Sequence, residues 1–171
     1  YLSLAIVGMP NVGKSSLMNK ILKEDKSIVT PIAGTTRDSV DSYIKYYNKS
    51  LRLIDTAGLR KKSKMDDAIE FYSSLRSIRT IDESDIVALL IDAKKGISNY
   101  DKNIIKYIFS KGKGLLIVIN KWDLIEKDTY TMKTISDDIV YEFPALKFHP
   151  IIFISIKNNF RVGNVLKNTL I

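Results

Sequence analysis

A chain of 171 residues fits one globular domain and is long enough to bury a proper core. Ordinary apolar content (45%) and plentiful charge (27%) argue against global disorder, and the absence of cysteine rules out a disulfide framework and any thiolate metal or nucleophile site. The net charge of +8 favours polyanionic partners such as RNA, but lysine is scattered through the whole sequence rather than gathered in one run.

Residues 4–7 (Leu-Ala-Ile-Val) read as a strand, and Leu17, Met18, Ile21 and Leu22 share one face of a helix over 14–23 that ends near Asp25. Between them lies Gly8-Met9-Pro10-Asn11-Val12-Gly13-Lys14-Ser15-Ser16, a strand-to-helix loop with the Gly, four residues, Gly-Lys-Ser spacing of a phosphate-cradling P-loop. Glycine at 8 and 13 lets the backbone approach a ligand closely, so that successive N–H groups and the helix N-terminus converge on an anion. Lys14 is placed to hold the β- and γ-phosphates and the Ser15 hydroxyl to ligate Mg²⁺.

Residues 25–37, with Pro31 and Gly34, read as a long loop. Val40, Ile44 and Tyr46 alternate within a strand over 39–47, Asn48-Lys49-Ser50 turns the chain, and 51–54 return antiparallel. Asp55-Thr56-Ala57-Gly58 follows at the strand's C-terminal end, where Asp55 can hold Mg²⁺ through water and the Gly58 N–H can approach a γ-phosphate. Residues 59–65 form a basic loop, either a solvated charge run or a segment touching phosphate or RNA. A helix from about Asp66 carries Ile69, Tyr72, Leu75 and Ile78, read as core contacts.

Residues 86–91 read as a strand covered on both faces; this longest apolar run is too short to span a bilayer, and no membrane partner is expected. A helix over 99–110 follows, with Ile104, Ile105, Ile108 and Phe109 as its buried stripe, then a strand over 115–119 ending in Asn120-Lys121-Trp122-Asp123. The Asp123 carboxylate can accept two bonds from guanine N1–H and its amino group. Adenine has neither donor, and such a site rejects the wrong base by roughly 10⁴. Asn120 braces that loop and the Lys121 stem lies against the base. Residues 130–143 are helical, His149 is structural or at the surface, and 151–154 form the last strand. Ser155-Ile156-Lys157 then offers backbone N–H groups to guanine O6, and a final helix starts near Val162.

In this order and spacing, residues 8–15, 55–58, 120–123 and 155–157 resemble the G1, G3, G4 and G5 motifs of translation-factor-type P-loop GTPases. Gly34-Thr35-Thr36-Arg37-Asp38 resembles the G2 segment of the bacterial subgroup containing Era, the tRNA-modification GTPase and Der (EngA). Residues 55–62, with Ile91-Asp92-Ala93 and Gly96-Ile97-Ser98, are most similar to the second G domain of the Der family of tandem-GTPase ribosome-assembly factors. The resemblance implies a three-layer α/β/α sandwich with a six-stranded, mostly parallel sheet carrying one antiparallel strand. It implies a GTPase using GTP/GDP, Mg²⁺ and K⁺, with Ser15, Thr36 (Thr35 being the alternative) and Asp55 around magnesium and Asn11 on potassium. The phosphate contacts would be Gly8, Pro10, Asn11, Val12, Gly13, Lys14, Ser15 and Ser16, with Lys14, Thr36, Gly58 and Asn11 closest to the chemistry. It further implies a monomeric domain, 1–171, cytoplasmic or, in a eukaryote, in an organellar matrix or stroma, cut from a longer protein that acts on the large ribosomal subunit precursor or its rRNA. Leu59 stands where Ras-like proteins carry the water-orienting Gln, so no side-chain general base can be named, and Ile156 replaces the usual Ala. Three alternatives stay open: a P-loop ATPase or kinase, a GTP-dependent rRNA scaffold without turnover, and the G domain of a tRNA-modification GTPase.

Overall fold

The strands at the centre of the molecule are apolar at nearly every position because both of their faces are covered. The structure, a computed structural model, describes residues 2–24, 41–56, 67–127 and 130–169. β1 (Leu2–Gly8), β4 (Ile86–Asp92) and β5 (Gly114–Asn120) form the buried middle of a six-stranded sheet of order β2-β3-β1-β4-β5-β6. β6 (Ile151–Phe153) closes one edge. At the other edge β2 (Ser42–Tyr46) and β3 (Lys49–Leu53) make the antiparallel pair, β3 running parallel to β1.

Alternate side chains of the central strands feed two cores, as the two-residue period of a strand requires. Leu4, Ile6, Ala88, Leu90, Leu116 and Val118 face one core, closed by Leu17, Met18, Ile21 and Leu22 of α1 (Lys14–Glu24) and by Val165 and Leu166 of α5 (Asn164–Thr169). Ala5, Val7, Leu89, Ile91, Ile117 and Ile119 face the other. That core is closed by Ile81 of α2 (Asp67–Glu83), by Ile104, Ile105 and Ile108 of α3 (Asn99–Ser110), and by Ile139 of α4 (Thr131–Glu142). The three-layer sandwich with one antiparallel strand is the architecture the sequence led us to expect.

Several local expectations change. The hairpin turns on Tyr47 and Asn48 alone, both at positive φ (48° and 66°), so β3 already begins at Lys49. A two-residue turn of this kind matches the twist of its strands. β6 stops at Phe153 and the last helix begins at Asn164, with Val162 buried just before it. The reading of α2 is overturned where it can be checked. Leu75 is 55% and Ile78 37% exposed, while Ser77, Thr80 and Ile81 are buried; the side chains of Ile69 and Tyr72 lie outside the described residues. A strict three-residue repeat slips about 60° around the helix at each step, so its members cannot all stay on one face. The polar residues that replace them inward are paired: Ser77 Oγ bonds the Tyr100 hydroxyl at 2.8 Å and Thr80 Oγ1 donates to the Ser77 carbonyl at 3.0 Å.

His149 is half-buried, its Nδ1 lying 3.3 Å from the Leu115 carbonyl oxygen and its ring packing on Phe109, in keeping with a structural part. No helix among the described residues is long and apolar enough to cross a membrane.

Candidate nucleotide site

The C-terminal ends of β1, β3, β4, β5 and β6 lie along one rim of the sheet, the position where open α/β sheets hold their ligands. The loop leaving β1 is shaped by two glycines that nothing larger can replace. A Cβ on Gly8 would lie 2.6 Å from the Leu90 carbonyl oxygen. One on Gly13, at φ 111°, would lie 2.4 Å from Asn120 Nδ2. Asn11 takes a left-handed φ of 65° and is exposed at the tip, Pro10 is half-buried, and Val12 is buried beneath. The Leu17 N–H then donates to the Gly13 carbonyl at 2.8 Å and starts α1, with Ser15 half-buried and Ser16 exposed in its first turn.

Lys14 curls back over this loop. Its Nζ donates to the carbonyl oxygens of Gly8 (2.5 Å) and Met9 (3.3 Å). Burial lowers its pKa to about 8, and the negative charge of Asp101 opposes only part of that cost. Asp101 sits in the first turn of α3, in a capping box with Ser98: its N–H donates to Ser98 Oγ at 3.1 Å and its Oδ2 accepts the Ser98 N–H at 2.9 Å. Burial raises the Asp101 carboxyl against those bonds, and its Oδ1 has no hydrogen-bond partner among the described residues. The result is a desolvated ammonium held against the carbonyls of its own loop, with Asp101 supplying only part of the opposing charge.

One side chain joins this loop to the base-reading end. Asn120, 4% exposed, donates from Nδ2 to the Val12 carbonyl at 2.8 Å and accepts the Ile156 N–H on Oδ1 at 3.2 Å. It braces two loops rather than one. It also engages the N–H expected to reach guanine O6, so that role requires Asn120 to release it. Asp123 Oδ1 accepts the Ser155 hydroxyl at 2.7 Å, and the Trp122 N–H donates to the Ile154 carbonyl at 3.1 Å, pinning the two loops side by side. Lys157 is exposed beside them. Lys121 takes a left-handed φ of 65° and sends Nζ to Asp92 Oδ2 at 3.2 Å. Asp92 is buried, which alone would raise its pKa, but the Lys94 N–H at 2.8 Å and the Lys121 ammonium hold it below the usual carboxylate range.

At the end of β3, Asp55 sits at φ 57°, its N–H donating to Asp41 Oδ1 at 2.7 Å. Both of its carboxylate oxygens are taken by Arg76 of α2, through Nε to Oδ2 and Nη2 to Oδ1 (2.9 Å). Thr36 and Gly58 lie outside the described residues, as do the segments 32–38 and 59–65. Sequence reasoning did not single out Asp101, although the Ser98-x-x-Asp101 box was readable, and it noted Asp92 only within the Ile91-Asp92-Ala93 segment, not as a partner of Lys121. Arg76 and Asp41 carried no local signal, because their link to Asp55 exists only once the chain has folded.

The loop, the sheet order and the rim geometry define a class, the P-loop GTPase domains. Era in complex with MgGDPNP and nucleotides 1506–1542 of 16S ribosomal RNA superposes with a TM-score of 0.73 at 29% identity, over 99% of this chain and 55% of that one. The elongation factor SelB of Methanococcus maripaludis shares the fold, with a TM-score of 0.68 at 23% identity over 99% of this chain and 33% of its own.

Within that class the chain belongs to the family of 50S ribosome-binding GTPases, whose family model matches residues 3–121, and it is a GTP-binding domain of the switch type. It is 51% identical to GTPase Der of Clostridium tetani over 97% of this chain and 38% of that protein. It is 48% identical to GTPase Der of Caldicellulosiruptor saccharolyticus, over 99% and 38% respectively. The chain thus spans well under half the length of these relatives.

Proposed function

We propose that this domain hydrolyses GTP with Mg²⁺ and with potassium stimulation, and that it serves a longer protein acting in assembly of the large ribosomal subunit. The observation that carries the nucleotide assignment is the Asn120 bridge, which fixes the phosphate loop at one distance from Asp123. The family match and the Der relatives support the ribosomal reading.

The donor sets suit the ions. The Ser15 hydroxyl and Asp55 carboxylate are hard oxygen ligands of the kind magnesium takes beside phosphates, with Thr36 as a further hydroxyl. Asn11 holds an amide at the exposed tip of the loop, where a monovalent cation can neutralise charge. When bound, the two ions supply charge neutralisation at the β- and γ-phosphates. The chain supplies the rest: loop amides and Lys14 hold the phosphates of GTP or GDP, Gly58 approaches the γ-phosphate, and Asn120, Lys121, Asp123 and the 155–157 backbone hold guanine.

Multiple-turnover phosphate release in KCl and in NaCl, with GTP and ATP compared, tests this. Turnover of GTP faster in KCl is expected. Equal rates in the two salts remove the role of Asn11, and equal use of ATP removes guanine recognition.

Two further outcomes follow from the geometry. Lys14 titrates near 8 without ligand, and a phosphate beside it raises that value. Below pH 8 the lysine carries its proton in both states and binding gains no pH dependence from it. Above pH 8 the complex must take up a proton, so triphosphate affinity falls as pH rises, by up to about tenfold per unit. Titration calorimetry in buffers of different ionisation enthalpy should show more proton uptake above pH 8 than near neutrality; no uptake in either range would show that Lys14 does not gain a proton when the nucleotide binds. The second concerns Arg76, which competes with magnesium for Asp55. Arg76→Ala is expected to lower, several-fold, the Mg²⁺ concentration that half-maximally slows release of a fluorescent GDP, a modest effect because the pair is partly solvated. An unchanged midpoint would show that Arg76 and magnesium do not compete.

A further inference from the structure

The β2–β3 turn is built in a way that folding alone does not favour. Both residues of a two-residue turn at positive φ are normally Asn or Gly, because a larger side chain strains the left-handed backbone. Asn48 fits this; Tyr47, at φ 48°, does not. Its ring is also 83% exposed, held edge-on to Tyr46 with centroids 4.6 Å apart. A strained backbone position and an aromatic ring in water both weigh against tyrosine here, so its use lies outside the fold.

Behind the turn lies an open depression of about 280 Å³, lined by Tyr46, Tyr47, Lys45, Ile21, Val162 and Leu166 among others, with no acidic side chain in its lining among the described residues. Lys45 and Lys49 are exposed on either side of the tip, Lys49 directly opposite Tyr46 in the strand register. Residues 42–52 contain three tyrosines and three cations; Arg52 is paired with Asp41 at 3.7 Å, which leaves Lys45 and Lys49 as the cations at the turn. Flat rings interleaved with cations around a small concavity suit an unpaired base and its phosphates. A protein-docking groove would need a larger contiguous apolar area.

We propose that the β2–β3 turn and the depression behind it are a contact site for single-stranded RNA, with Tyr47 stacking on a base while Lys45 and Lys49 neutralise the flanking phosphates. This deepens the ribosome-assembly reading by naming where the domain grips RNA, and it is independent of the nucleotide crevice. The test is fluorescence anisotropy of a short labelled oligouridylate over a KCl series, with thermal unfolding and GDP binding measured on each variant. Tyr47→Asn removes the ring and suits the left-handed backbone. It is expected to weaken RNA binding about tenfold while leaving GDP affinity unchanged and the unfolding temperature unchanged or higher. Lys45→Glu with Lys49→Glu is expected to weaken binding and to reduce the salt slope by about 1.4. A lower unfolding temperature for Tyr47→Asn would make the ring structural and overturn the proposal. If the unaltered chain binds no RNA, the site and the direct-RNA part of the ribosomal reading both fall. If Lys111→Glu and Lys147→Glu weaken binding while the turn variants do not, the RNA lies elsewhere: the ribosomal reading stands and this site does not.

Discussion

Asp123→Asn is expected to lower GTP affinity by about 10³- to 10⁴-fold and to move the preference of the site to xanthosine triphosphate. The carboxylate offers two acceptors to the N1–H and amino group of guanine. An amide turns one of those acceptors into a donor, which then faces the guanine amino group, donor against donor. Xanthine carries a carbonyl oxygen at that position and accepts the new donor. The Ser155 hydroxyl, now 2.7 Å from Asp123 Oδ1, can keep an oxygen partner in the variant, so the loop should stay in place. Competition of GTP and xanthosine triphosphate against a fluorescent nucleotide measures the exchange. Equal loss of both ligands would mean that Asp123 supports the loop rather than reads the base.

Gly13→Ala should destabilise the fold by roughly 3 kcal/mol and weaken nucleotide binding at least a hundredfold. The added methyl would meet Asn120 Nδ2 at 2.4 Å and Ile156 Cδ1 at 3.2 Å, on a backbone at φ 111° that side chains rarely adopt. If Asn120 moves aside, the Val12 carbonyl and the Ile156 N–H both lose their partner. Each buried group left unpaired costs about 1–3 kcal/mol. Gly112→Ala is the control: its φ of 67° is also left-handed, yet nothing lies within 4 Å of the added carbon. Its cost should be the conformational part alone, about 1–2 kcal/mol. Urea unfolding of both variants separates crowding from backbone strain, and equal costs would show that the brace has room to spare.

Much of the layout was legible because the motifs are local. Gly8, Gly13 and Lys14 announce themselves by spacing, and strands 86–91 and 115–119 by unbroken apolar runs, because two covered faces leave no polar positions to confuse the pattern. α2 misled because its apolar residues recur every third position, which looks like a stripe in the sequence and spirals away on a helix. The type of turn at Tyr47 was hidden because tyrosine rarely adopts left-handed backbone. The partners that tune the site, Asp101 beside Lys14, Asp92 under Lys121 and Arg76 across Asp55, were out of reach for another reason. Each couples positions remote in sequence, and only the folded sheet brings them together.

Asn120 works as a yoke between the loop at Val12 and the loop at Ile156. A ligand that seats only at the purine end is therefore expected to shift the amide, and with it the Val12 carbonyl in the phosphate loop. Guanosine and inorganic triphosphate supplied as separate molecules should therefore bind far more weakly than their covalent union, beyond the advantage of tethering alone. Selection among nucleosides is then felt in the tail as well as the base.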